Sequence, residues 1–236
     1  MQGKEMLGIM LIEQDELNSR LSEKWYLEES FLYHRAVFME LAELMDCFNW
    51  EWWKKKKEDK ENVIIELIDI WHFLMSWVLK QEYYQSTDKN MDMVVDKIYY
   101  TYKLVKSNFD KNNCSKDFIL DLIEETMKYA LDYDLYRTTK NFFELLLCIG
   151  LSIGDLFKYY IAKKTLNKFR WAMSYKHGTY NKMWNGEEDN KVMLRMVDKL
   201  SDKYKIETTH DYFRLYDEIL KRELIEYYNK EVIANG

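Results

Sequence analysis

Apolar residues in this chain recur at helical spacing over long runs. In "KEMLGIMLIEQDELNS" (4–19), Met6, Ile9, Met10, Ile12 and Leu17 form one apolar side, which predicts a first helix. After a polar bridge, "FLYHRAVFMELAELMDCF" predicts a second helix over about 31–48. The connector "NWEWWKKKKEDKEN" leads to a third helix over about 62–84. Its centre, "VIIELIDIWHFLMSWVL" (63–79), is apolar nearly all round, the mark of a buried helix. Helices near 89–109, 115–134 and 138–150 are more charged and read as surface or partner-facing. A seventh helix covers about 153–171, and the polar, aromatic stretch 174–190, with two glycines, reads as a loop or lid. Amphipathic helices over about 190–203 and 209–231 complete the pattern.

Composition supports an all-α fold. The chain has no proline and only 7 glycines in 236 residues, too few turn formers for a sheet-rich domain. At 47% hydrophobic and 16% aromatic it can bury a substantial core. The length fits a single all-α domain over 1–236, a helical bundle of core helices with a smaller, more mobile helical part.

Net charge is −6, from 35 basic and 41 acidic residues, without a dominant basic face, which argues against direct nucleic-acid binding. The run Lys54–Lys57 is followed at once by "EDKE". It reads as a solvated connector or, beside carboxylates, as a grip for a polyphosphate. Cys47, Cys114 and Cys148 are far apart and odd in number, predicting reduced thiols in a cytoplasmic chain rather than a disulfide framework or zinc site. The N-terminus lacks signal-peptide order. No stretch offers about 18 uncharged apolar residues, so no membrane span is expected.

Candidate chemistry lies where carboxylates interrupt apolar helices. Glu40, Glu43 and Asp46 step by three along the second helix, and Glu66 and Asp69 do so along the third, with His72 three further on. Residues three apart share a helix face, so antiparallel packing would bring two acidic stripes together. Buried ionised carboxylates are paired, protonated or metal-bound, and oxygen-only ligation suits Mg²⁺ or Mn²⁺. Salt bridging or solvent exposure is the plainer explanation. Two such pairs on apolar helices, with 22 residues between Glu43 and Glu66, weigh against it. A di-iron centre needs two Glu-x-x-His elements. Only Asp69-x-x-His72 approximates one, so His72 reads as a packed, hydrogen-bonded core residue.

E-x-x-E followed at a distance by E-x-x-D resembles the all-α nucleoside triphosphate pyrophosphatase superfamily. Within it the chain resembles the dimeric dUTPase family, through "LIEQDELN" (11–18), "FMELAELMDCFNWEWWK" (38–54), "ENVIIELIDIWHFLMS" (61–76), "YIAKKTLNKFR" (160–170) and "YKHGTYNKMWNGEEDN" (175–190). The resemblance implies hydrolysis of dUTP, and of dUDP, to dUMP. It implies that Glu40, Glu43, Glu66 and Asp69 hold two or three Mg²⁺ ions per site, Mn²⁺ being an alternative. Glu40 or Glu43 would activate a water that attacks the phosphate chain, in the family at the β-phosphorus, with Glu40 preferred here. Gln14 and Asn18 would read the uracil edge, and Trp50 and Trp53 would wall the base and sugar. Lys54, Lys163, Asn167, Arg170, Tyr175, Lys176, Tyr180, Lys182 and Asn190 would line the nucleotide and its phosphates, with 174–190 the phosphate-binding motif.

Residues 86–136 match the family least and read as a variable helical insertion. The family further implies a homodimer, and in viral members a regulatory protein partner. The Lys-, Asn- and Tyr-rich composition suggests an AT-rich genome, a bacterium or its phage, and a cytoplasmic setting. Departures are Glu51 where a lysine is common, Ser174 for glycine, His177 for aspartate and Asn181 for lysine. Alternatives are a related pyrophosphatase acting on another base, such as dCTP, and a regulator-binding protein on the same fold. On residue type alone, Gln14 and Asn18 could be surface positions, the tryptophans plain core, and Arg170 and the lysines surface charges.

Overall fold

The computed structural model describes residues 3–55, 57–173, 180–204, 208, 211 and 214–230. The chain forms two compact units, residues 2–156 and 157–236.

In the first unit, α1 is Gly3–Ser19, α2 is Tyr33–Asp46 and α3 is Lys60–Val78, which continues as a π-helical turn, Leu79–Tyr84. Then come α4 (Met91–Asn108), α5 (Lys116–Leu131) and α6 (Leu135–Cys148), and the first residues of α7 (Ile153–Ala172). Side chains set the helix starts. Asp59, Asn90, Ser115 and Asp134 each accept a backbone N–H from the first turn of α3, α4, α5 and α6. Ser152 and Asp155 cap each other ahead of α7. α6 stops at Gly150, whose φ of +89° is open to glycine at little cost. There the N–H of Leu151 reaches the carbonyl of Leu146, and that of Gly150 the carbonyl of Leu147.

α2 packs on α3 and α5, α5 on α6, and α1 on α3 and α4, while α4 also packs on α6. Trp71, fully buried on α3, stacks on Phe142 of α6 at 5.0 Å between ring centroids. By length and composition alone Lys60–Tyr84 could cross a membrane, but 72% of its most apolar window is buried by the protein, as in a core helix.

Two sequence expectations are corrected. The helices expected near 89–109, 115–134 and 138–150 are not mainly surface elements: α4 buries Val94, Ile98 and Tyr102, α5 buries Leu122 and Ile123, and α6 buries Phe142, Phe143 and Leu146, against the same core. Nor are all three thiols reduced. Cys114 and Cys148 form a disulfide with a Cα–Cα distance of 5.2 Å, and Cys47 is buried outside any disulfide. Packing of α5 against α6 brings Cys114, just before α5, to Cys148 at the end of α6, across 34 positions of sequence. The pairing removes the argument from cysteine spacing for a reducing compartment.

The second unit holds the rest of α7, a hairpin of β1 (Met183–Trp184) and β2 (Glu187–Glu188), α8 (Asp189–Lys203), a π-helical turn (Arg214–Leu220) and α9 (Lys221–Tyr228). Among the described residues this hairpin is the only sheet. Trp184 pairs with Glu187 across Asn185 and Gly186, both at positive φ, the geometry an Asn-Gly hairpin turn adopts. Trp184 is fully buried, and Phe169, Tyr180 and Tyr228 lie against it.

Candidate active site

α2 buries Val37, Leu41 and Leu44, which turns Glu40 and Glu43 off the core side. α3 faces α2 with Glu66. One oxygen from each of Glu40, Glu43 and Glu66 lies within 4.8 Å of the other two. Glu40 and Glu66 are half-buried and Glu43 is exposed. Asp69, half-buried one turn further along α3, falls outside this triad, so three of the four expected ligands converge. Beside the triad a hollow of about 320 Å³ is lined by Glu43, Asp46, Cys47, Asp59, Asn62 and Glu66. It adds two carboxylates that the sequence pairs did not single out as ligands, one of which, Asp59, caps α3.

Three carboxylates this close repel one another. At 4.8 Å a pair costs about 1 kcal/mol in a water-like dielectric and about 3 kcal/mol at an effective dielectric of 20. A divalent cation among them turns each repulsion into attraction. An all-oxygen set with water access is the kind Mg²⁺ or Mn²⁺ takes, so the residues fit that class of ion.

A second group lies where α1 meets α3. Gln14, Asn18, His72 and Ser76 are all buried. Gln14 Nε2 donates to Asn18 Oδ1 (3.0 Å) and to Ser76 Oγ (3.1 Å). Asn18 Nδ2 donates to Ser76 Oγ at 3.0 Å, and Gln14 Oε1 lies 2.8 Å from His72 Nδ1. Gln14 and Asn18 are therefore not surface positions of an amphipathic helix. His72 is a hydrogen-bonded core residue, as its spacing predicts, and it belongs to this polar network. Ser76 was missed, although Asp69, His72 and Ser76 trace a polar line along an otherwise apolar helix.

On the connector, Trp50, Trp52 and Trp53 are 39%, 89% and 54% exposed and meet edge to face. They are not core, and their faces are open for stacking. Lys54 Nζ lies 2.7 Å from Glu51, whose second oxygen is enclosed without a hydrogen-bond partner among the described residues.

Within the second unit, Arg170 reaches Asp189 through Nε (2.9 Å) and Nη2 (2.6 Å). Nη2 also donates to Asn190 Oδ1 (3.0 Å), which accepts from Lys163 Nζ at 3.0 Å as well, and Nη1 donates to Asn167 at 3.3 Å. Tyr180 Oη donates to Asp189 Oδ2 at 2.7 Å. Burial first, then the Asp189 carboxylate, raise the Tyr180 phenol pKa. Five of the expected nucleotide-lining residues thus form one network around Asp189, a buried acid the sequence reading did not select. Lys182 is exposed and joins through its carbonyl, which accepts the N–H of Asp189. Tyr175 and Lys176 lie outside the described residues.

A family model described as dUTPase matches residues 6–175 of the chain. No curated protein sequence matches it.

Proposed function

The chain belongs to the dUTPase family and hydrolyses dUTP, and from that premise we propose that the reaction requires Mg²⁺ held by Glu40, Glu43, Glu66 and Asp69 and extends to dUDP. The observation that carries this reading is the convergence of the Glu40, Glu43 and Glu66 oxygens within 4.8 Å. Two or three Mg²⁺ ions there would neutralise phosphate oxygens and make water a better nucleophile, a role Mn²⁺ could also fill.

Glu40 is the assigned base. It is less exposed than Glu43, so a proton it takes from the attacking water is better shielded from bulk solvent. A new water-oxygen to phosphorus bond forms, and the bridging phosphorus–oxygen bond to the departing group breaks. One water thus converts dUTP to dUMP and pyrophosphate, and dUDP to dUMP and phosphate.

Gln14 and Asn18 offer amide donors and acceptors to the uracil imide edge. The exposed faces of Trp50 and Trp53 stack on base and sugar. By family resemblance, Lys54 and, separately, Lys163, Asn167, Arg170, Tyr175, Lys176, Tyr180, Lys182 and Asn190 are assigned to the phosphates, where their donors would stabilise developing charge. A homodimer is part of the same proposal, by family resemblance.

The test is release of pyrophosphate and phosphate from dUTP, dUDP, dCTP and dTTP with Mg²⁺ present. The reading expects turnover of dUTP and dUDP and little of the other two. Preferred turnover of dCTP would reassign the base.

A further inference from the structure

We propose that Ser76 is a specificity-determining positioning residue, whose hydroxyl fixes the Asn18 amide in the one orientation that accepts uracil and rejects cytosine. The proposal rests on the reading that Gln14 and Asn18 face the base.

Ser76 is 1% exposed on α3 and lies far in sequence from the two amides it meets on α1. Its hydroxyl donates to the His72 carbonyl one turn back, at 2.9 Å. The longer approach to Asn18 Oδ1, at 3.4 Å, competes poorly for that proton. Ser76 Oγ is therefore an acceptor toward α1. It takes Nδ2 of Asn18 at 3.0 Å and Nε2 of Gln14 at 3.1 Å, which turns the nitrogen of each amide toward Ser76. The Asn18 oxygen then accepts from Gln14 Nε2 at 3.0 Å. Turning Asn18 over would set its oxygen against the Ser76 lone pairs and its nitrogen against the nitrogen of Gln14. Both hydrogen bonds would be lost in a site closed to water, and unmade buried bonds are expensive.

The lock matters because an amide can be read either way round. Among the described residues, Asn18 keeps one N–H and one oxygen lone pair beyond these bonds. Uracil presents N3–H and a carbonyl oxygen, which match the Asn18 oxygen and N–H respectively. Cytosine in the same place presents a bare N3 and an amino group, so acceptor meets acceptor and donor meets donor. A freely turning amide would accommodate both bases. A locked one leaves buried groups unpaired with cytosine, the strongest form of rejection a polar pocket offers.

The experiment compares kcat/KM for dUTP and dCTP, with Mg²⁺, in the full chain and in Ser76→Ala, Ser76→Cys, Ser76→Thr and Asn18→Ala. The dUTP-to-dCTP ratio should fall about 10-fold or more in Ser76→Ala and Ser76→Cys, chiefly because dCTP turnover rises. Ser76→Thr, which keeps a hydroxyl, should hold the ratio near that of the unchanged chain. Equal loss on both substrates, or an unchanged ratio, in the alanine and cysteine variants would show that Ser76 only packs and would overturn the proposal. Asn18→Ala separates the two layers. If it collapses the ratio while the Ser76 variants do not, Asn18 reads the base and only the lock fails. If it too leaves the ratio unchanged, the base-reading role of Asn18 fails and the lock with it.

Discussion

Asp189 receives Arg170 side-on, with Nε 2.9 Å from one carboxylate oxygen and Nη2 2.6 Å from the other, and both side chains are buried. The pair fixes the plane of the guanidinium, and Tyr180 is tied to the same carboxylate. Removing one partner of a buried ion pair strands the other. Asp189→Ala is expected to destabilise the fold by about 3 kcal/mol and to raise KM for dUTP more than kcat falls. Urea unfolding and initial-rate kinetics check the two effects, and unchanged stability would contradict the pairing.

The Cys114–Cys148 disulfide spans 34 positions of sequence. Restricting the unfolded chain over a loop of that length is worth about 3 to 4 kcal/mol in the chain-entropy picture. Unfolding in urea with and without a thiol reductant, beside Cys114→Ser, should show that loss in both cases. Cys114→Ser should also be indifferent to the reductant, while Cys47→Ser should behave like the unchanged chain.

His34 is buried with its ring 4.1 Å from that of Tyr133. Burial first, and then Arg35, hold its pKa below the ordinary 6.5. The unfolded chain therefore takes up this proton at a higher pH than the folded one. His34 leaves stability untouched above about 6.5 and subtracts from it as pH falls through 6.5 toward the depressed value. Urea midpoints measured between pH 8 and pH 5, a range chosen to bracket about 6.5, should decline on the acid side. His34→Gln should decline less steeply. Equal slopes would contradict the assignment.

Helices α1 to α8 were legible within a few residues, because their apolar residues recur at helical spacing. The helices near 89–109, 115–134 and 138–150 read as surface because average charge hides a one-sided helix: α4 keeps its charges outward while Val94, Ile98 and Tyr102 point in. The carboxylates of Glu40, Glu43 and Glu66 were legible because ionisable groups in an apolar run demand compensation. That Asp69 stands outside the triad was not, since i,i+3 spacing gives a shared face and not the level at which α2 approaches it. Disulfide connectivity does not follow from cysteine spacing. The hairpin at Met183–Glu188 carried its signal in Asn185-Gly186 and was passed over as loop. Ser76 looked like a small packing residue, and only its partners on α1 reveal its polarity.

The most direct test of the central claim is the Mg²⁺ dependence of pyrophosphate release from dUTP, measured for the unchanged chain and for Glu66→Gln. The account predicts a rate that saturates with Mg²⁺, disappears in EDTA and returns when Mg²⁺ is restored in excess. Glu66→Gln should lie more than about 100-fold lower, since even groups that merely support metal ligands are worth 10- to 100-fold. Full turnover in EDTA, or an undiminished Glu66→Gln, would contradict a metal-dependent mechanism built on these carboxylates.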